Sequence, residues 1–186
     1  AEIVDFWAMV FNPSSVDRLL HSVIGAWLAG SFLVISVSAY YLLKGRHLEF
    51  AKSSLKFGLI VSAVACILQL VSGDSSARGV ARNQPMKLAA FEGVYRTTQG
   101  APLIIFGVPN KQEKRIDYEI GIPKLLSLLT FGSSDAEVKG LENVPAADWP
   151  NVSAVFQTYR LMILMWFLMA GSTLLAVVFW MRGSLF

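Results

Sequence analysis

Three runs free of any charged residue decide most of what this chain can fold into. They are Leu19 to Leu43, between Arg18 and Lys44; Phe57 to Gly73, between Lys56 and Asp74; and Leu161 to Met181, between Arg160 and Arg182. An α-helix rises about 1.5 Å per residue, so roughly 17–25 apolar residues cross the hydrocarbon core of a bilayer. All three runs fall in that range. The second is the shortest, and Lys52 or Lys56 can lengthen it by stretching an aliphatic stem along the apolar surface. A soluble domain of 186 residues has little interior in which to hide three such stretches. Composition agrees: charged residues make up 16% of the chain, where soluble proteins average about 25%. An apolar content of 54% and a mean hydropathy of +0.53 exclude a disordered chain or a nucleic-acid-binding arm. Cys66 is the only cysteine, so no internal disulfide is possible, and with two histidines it leaves no zinc cluster.

Charge placement predicts the orientation. The connector Lys44–Lys56 holds Lys44, Arg46, Lys52 and Lys56 against one acid, Glu49. Short basic loops stay on the cytoplasmic side, so residues 45–56 are expected to form a cytoplasmic connector. The expected organisation is then an outer-side lead-in over 1–15, a transmembrane helix over 16–44, a second over 57–73, an outer loop over 74–159, a third helix over 160–182 and a cytoplasmic tail over 183–186. The fold class is an all-α membrane protein of three transmembrane helices with a long outer, periplasmic-side loop, part of a larger helical bundle. The first residues lack the basic start and continuous apolar core of a signal peptide. A chain that begins with Ala1 reads as a processed product or a piece of something longer.

The outer loop is far longer than an ordinary helix connection, and such loops are functional or disordered. This one has equal numbers of acidic and basic residues, apolar patches at Ala101–Val108 and Ile120–Leu129, and aromatic residues from Phe91 to Trp149. It is expected to be folded. Met86–Tyr95 suits a short helix with Pro85 in its first turn, and Leu103–Val108 an extended segment ending at Pro109-Asn110. A neutral, partly apolar loop against the membrane suits an amphiphilic ligand arriving from the lipid.

His21 lies near the outer end of the first run and Met162 near the outer end of the third. Neutral imidazole and thioether are the axial pair of a low-spin cytochrome haem. Gly25 and Ala29 continue the histidine's helix face as a shallow groove, and Met165, Trp166 and Met169 lie on the face of Met162. Arg160, just before Met162, is placed to meet a haem propionate or to anchor the helix at the headgroups. Taken singly, a histidine at a helix end also reads as an interfacial residue, and a methionine as packing. In the loop, Lys87 and Glu92 flank Leu88-Ala-Ala-Phe91; the pair suits proton transfer from a hydroquinone, or else a solvated surface pair.

At these residues the sequence resembles subunit I of the cytochrome bd quinol oxidases. Val16-Asp-Arg-Leu-Leu-His21-Ser, continuing to Ser38-Ala-Tyr-Tyr-Leu-Leu-Lys-Gly-Arg46, looks like the helix bearing that family's histidine ligand. Gln84-Pro-Met-Lys87-Leu-Ala-Ala-Phe-Glu92-Gly, after Gly73-Asp74, looks like the start of its quinol-binding loop, in the shorter of its two types. Phe106-Gly-Val-Pro109 and Val138-Lys-Gly-Leu141 match further landmarks, and Tyr159-Arg160-Leu-Met162 looks like the entry to the methionine-bearing helix. The Gln-Pro-x-Lys-x-Ala-Ala-x-Glu pattern is specific; a lone histidine or methionine is not.

The resemblance implies that His21 and Met162 ligate the iron of a low-spin haem b, that Arg160 supports that haem, and that Lys87 and Glu92 act in quinol oxidation. It also implies membrane quinol as substrate and a bacterial cytoplasmic membrane as location. The implied partners are the lipid bilayer, the remaining helices of subunit I and subunit II of the oxidase, with no nucleic acid. Only the middle portion of the subunit is matched. Haem d and the high-spin haem b are therefore expected only in the complete subunit, and this segment alone is not expected to reduce oxygen. Two other readings stay open from the residues: a haem-free membrane protein whose outer loop binds a partner, and a b cytochrome relaying electrons from quinol to a separate partner.

Overall fold

A computed structural model describes residues 5–12 and 14–186. The elements in order are α1 (Phe6–Val10), α2 (Ser15–Leu43), α3 (Leu48–Asn83), α4 (Pro85–Glu92), β1 (Thr98–Gln99), β2 (Leu103–Asn110), β3 (Arg115–Ile122), α5 (Leu125–Phe131), β4 (Glu137–Val138), two 3-10 turns at Leu141–Asn143 and Ala146–Asp148, and α6 (Val152–Met181). The chain divides into two compact units. One comprises Ser15–Gly73 with Met165–Phe186; the other comprises the residues up to Ser14 with Asp74–Leu164.

The first unit is helical. The helices α2, α3 and α6, of 29, 36 and 30 residues, are each long and apolar enough to cross a membrane. The three uncharged runs lie within these helices, which are longer than the runs. α3 begins in the connector at Leu48 and continues to Asn83, which at about 1.5 Å per residue makes it some ~54 Å long. Charge does not end a helix. Lys, Arg and Glu are good helix formers, and Asp74 pairs with Arg78 one turn on at 2.9 Å. What does end α2 is Gly45, which takes a left-handed φ of +66° while the Arg46 amide bonds back to the Tyr41 carbonyl at 3.0 Å. The connector is therefore a tight turn rather than a loop. Lys56 sits over the rings of Trp180 and Phe186, 5.9 and 5.5 Å from their centroids.

Inside this unit Leu28, Ala65 and Cys66 are buried, with Ile24, Phe32, Trp166, Met169 and Ala170 packed against them. Polar contacts link its helices: Ser62 and Thr173 share a hydrogen bond of 2.6 Å, and the Trp166 indole donates to the Cys66 carbonyl at 3.3 Å. Large apolar side chains such as Phe57, Ile67, Leu174 and Phe179 stay exposed, which suits helices surrounded by lipid or by other helices.

The second unit is the folded loop, and here the chain also forms strands. β2 and β3 make an antiparallel hairpin from Leu103↔Ile122 to Asn110↔Arg115, with register shifts around Phe106. The turn is closed by the Asn110 side-chain oxygen, which accepts from the amides of Gln112 and Glu113. Short β1 and β4 pair antiparallel. Two apolar clusters hold the unit: Ala89, Ala90, Tyr95, Ile104, Ile116, Leu141, Val152 and Phe156 in one, and Ala81, Leu88, Phe91, Ala101, Leu126 and Val138 in the other. α4 contributes to both.

Candidate functional site

α4 places the acidic candidate. Pro85 opens the helix, where its missing amide costs nothing. Gly93 closes it at φ +72°. A side chain on Gly93 would meet Ile116 and Phe156 within 3 Å, so glycine answers both the backbone geometry and the packing. Leu88, Ala89, Ala90 and Phe91 are buried, and Glu92 with them, at 3% exposure.

A carboxylate in that position needs a counter-charge, and Arg160 supplies it from α6. Its guanidinium donates to Glu92 Oε2 at 3.0 Å, to the Ile104 carbonyl at 2.7 Å and to the Phe91 carbonyl. It lies on the Phe156 ring, 3.6 Å from the centroid, and its Nε has no hydrogen-bond partner among the described residues. One arginine therefore ties α6, the end of α4 and strand β2 together. Even so, loss of water outweighs the nearby cation. Burial pushes the Glu92 carboxyl up to about 7, with the charge and hydrogen bond of Arg160 pulling the other way.

Beside Glu92 a cavity of about 200 Å³ is lined by Tyr95, Arg96, Lys114, Arg115 and Glu119, among others. The Tyr95 hydroxyl is buried without a hydrogen-bond partner, and burial raises its ionisation above the ordinary phenol range. A larger hollow of about 390 Å³ lies at the start of α6, against Lys111, Trp149 and Asn151. It is lined by none of the candidate residues.

Lys87 does not join Glu92. Five residues along a helix amount to about 140° of rotation, and Lys87 is exposed on another side of α4. The carboxylate's partner is 68 positions away instead, a pairing with no local signal in the sequence. β3 was also missed, although Ile116, Tyr118, Ile120 and Ile122 alternate with Asp117, Glu119 and Gly121 as strand residues do.

His21 belongs to the helical unit and Met162 to the other. Met162 is 51% exposed on α6. His21 is half-buried, with Nδ1 3.0 Å from Ser72 Oγ and Nε2 3.0 Å from the Gln69 side-chain nitrogen. Gly73 faces the imidazole, since a side chain there would sit 3.6 Å from Cε1. Trp166 and Met169, expected along the face of Met162, pack into the helical unit. Among the described residues no three His, Cys, Asp or Glu side chains cluster to hold a bare metal ion. Imidazole and thioether are donors of the kind a haem iron takes from a protein, and the hydrogen-bond partners of His21 among the described residues are neutral.

These features define a helical membrane protein with a folded extramembrane segment that buries one ionisable pair. Comparison with known proteins narrows the class. The family described as cytochrome bd terminal oxidase subunit I matches residues 1–186, and this chain belongs to that family. It is 36% identical over 162 residues to cytochrome bd-II ubiquinol oxidase subunit 1 of Escherichia coli (strain K12), covering 87% of this chain and 32% of the relative. It is 31% identical over 173 residues to cytochrome bd ubiquinol oxidase subunit 1 of Bacillus subtilis (strain 168), covering 88% and 37%. Among solved structures, the bd oxidase from Geobacillus thermodenitrificans matches with a TM-score of 0.82 at 26% identity, over 95% of this chain and 40% of that one. The chain thus spans about a third of the length of the curated relatives.

Proposed function

We propose that this chain is the quinol-oxidising, low-spin haem b-binding portion of a cytochrome bd-type terminal oxidase. In this reading it works in a bacterial cytoplasmic membrane, with the folded loop on the outer side and the remaining helices of subunit I and subunit II around it. Haem d and the high-spin haem b belong to the rest of that assembly.

The observation that carries the reading is Glu92, a buried carboxyl with a pKa raised to about 7, beside a cavity in a segment whose other described acids are exposed or half-buried. A quinol gives up two protons and two electrons on oxidation. Glu92 in its ionised form accepts a proton from a quinol hydroxyl, and with a pKa of about 7 it releases that proton again at ordinary pH. Arg160 holds the carboxylate in place and limits how far burial raises its pKa. Lys87, exposed on another side of α4, acts on the approach of quinol rather than at the proton itself. His21 and Met162 would hold the haem iron, with Arg160 supporting the group. When bound, the haem supplies a one-electron carrier.

The test is Glu92→Gln in the assembled oxidase, a change that keeps shape and removes the base. Quinol oxidation is expected to fall by about 10²–10⁴-fold while the low-spin haem spectrum stays intact. Undiminished turnover would remove Glu92 from the reaction.

A further inference from the structure

The surroundings of His21 contain two polar side chains that nothing above has used. Gln69 and Ser72 lie one turn apart on α3 and face His21 on α2. Ser72 Oγ is 3.0 Å from Nδ1, and the Gln69 side-chain nitrogen is 3.0 Å from Nε2. The Gln69 nitrogen also lies 3.3 Å from Nδ1, whereas Ser72 Oγ is a partner of Nδ1 alone.

The directions of these bonds follow from proton counting. A serine hydroxyl has one proton to donate, and Ser72 donates it to the Gln69 backbone carbonyl at 3.3 Å. At His21 the same oxygen must then accept, so Nδ1 carries the ring proton. That tautomer leaves the lone pair on Nε2. It is the form in which a histidine binds a metal through Nε2, its other nitrogen fixed by an acceptor.

Gln69 adds an independent sign. Its side-chain oxygen is buried and has no hydrogen-bond partner among the described residues, an uncommon state for a buried acceptor. The same amide lies against Gly25, where an added Cβ would come within 3.7 Å of it. Gln69 thus occupies the groove that Gly25 leaves on the histidine's own helix face. Its amide packs over the face of the imidazole, within reach of both ring nitrogens.

We infer that Ser72 is a positioning residue that sets the tautomer and ring orientation of His21 for ligation through Nε2. The inference rests on the proposal that His21 is an axial ligand. Ser72 acts through His21 and does not itself touch iron. An acceptor at Nδ1 makes the imidazole a stronger electron donor, which favours the ferric state.

The test uses the assembled oxidase with Ser72→Ala, Ser72→Thr and His21→Ala, read by redox titration of the reduced-minus-oxidised spectrum and by haem content. With Ser72→Ala the midpoint potential of the low-spin haem is expected to rise, and haem affinity to fall by about 10–100-fold. Ser72→Thr, which keeps the hydroxyl, is expected to restore both. If His21→Ala abolishes the low-spin signal while Ser72→Ala leaves potential and affinity unchanged, the positioning role is wrong and the ligand assignment stands. If His21→Ala keeps the signal, the ligand assignment fails and takes the inference with it.

Discussion

The polar centres of the two units are built on opposite principles. Around His21 the hydrogen-bond partners among the described residues are a hydroxyl and an amide, both uncharged. Around Glu92 a full ion pair is taken out of water, with Arg160 12% and Glu92 3% exposed at the side chain. Neutral partners orient a group without committing it to a charge state, which suits a ligand. A buried ion pair leaves the carboxyl balanced between two charge states, which suits a group that takes and returns a proton. The difference explains why one centre can lie within apolar helices while the other requires a folded segment with backbone carbonyls to spare.

The ion pair gives the largest expected effect. Arg160→Leu leaves Glu92 buried without a counter-charge and frees the carbonyls of Phe91 and Ile104. The loop unit is expected to lose about 3–5 kcal/mol of stability, measured by thermal unfolding or protease sensitivity of residues 84–151. A loss below 1 kcal/mol would mean that the pair does not organise the loop.

For the proposed haem ligands, Met162→Leu keeps volume and removes the thioether. The low-spin haem signal is expected to vanish from the reduced-minus-oxidised spectrum, with the loop as stable as in the parent. An unchanged signal would show that the exposed methionine is not a ligand. The smallest effect belongs to Lys87→Ala. Because Lys87 is exposed and apart from Glu92, quinol turnover is expected to change by less than about tenfold, well short of the 10²–10⁴-fold assigned to general-base loss. Equal losses for Lys87→Ala and Glu92→Gln would put the two residues back into one site.

The contrast also shows what the sequence makes legible. The three spans could be read because hydropathy is a local property, and their polar neighbours cannot mask it. Their ends could not, because Leu48–Lys56 and Asp74–Asn83 continue α3 with charged residues that favour helix. α4 was visible from Pro85, and β2 from the apolar stretch Leu103–Val108. The hairpin needed its second strand, whose alternating residues include two acids and a glycine and so read as loop. Lys87 and Glu92 were joined because they are neighbours in sequence, and helical rotation separates them. The pair that forms, Glu92 with Arg160, depends on how residues 68 positions apart are brought together, and no spacing rule encodes that. Gln69 and Ser72 were hidden for another reason: in an apolar run, a lone amide and a lone hydroxyl look like tolerated exceptions.

The central claim, that Glu92 takes the proton from quinol, is tested most directly by the pH dependence of quinol oxidation in the assembled oxidase. The base works only when ionised, so with burial raising its pKa to about 7, kcat/KM is expected to rise with pH through about 7 and level off above it. The Glu92→Gln variant should lose that limb. In Arg160→Leu the limb should move to higher pH, because the cation that favours the ionised form is gone. An identical rising limb in parent and Glu92→Gln would contradict the account.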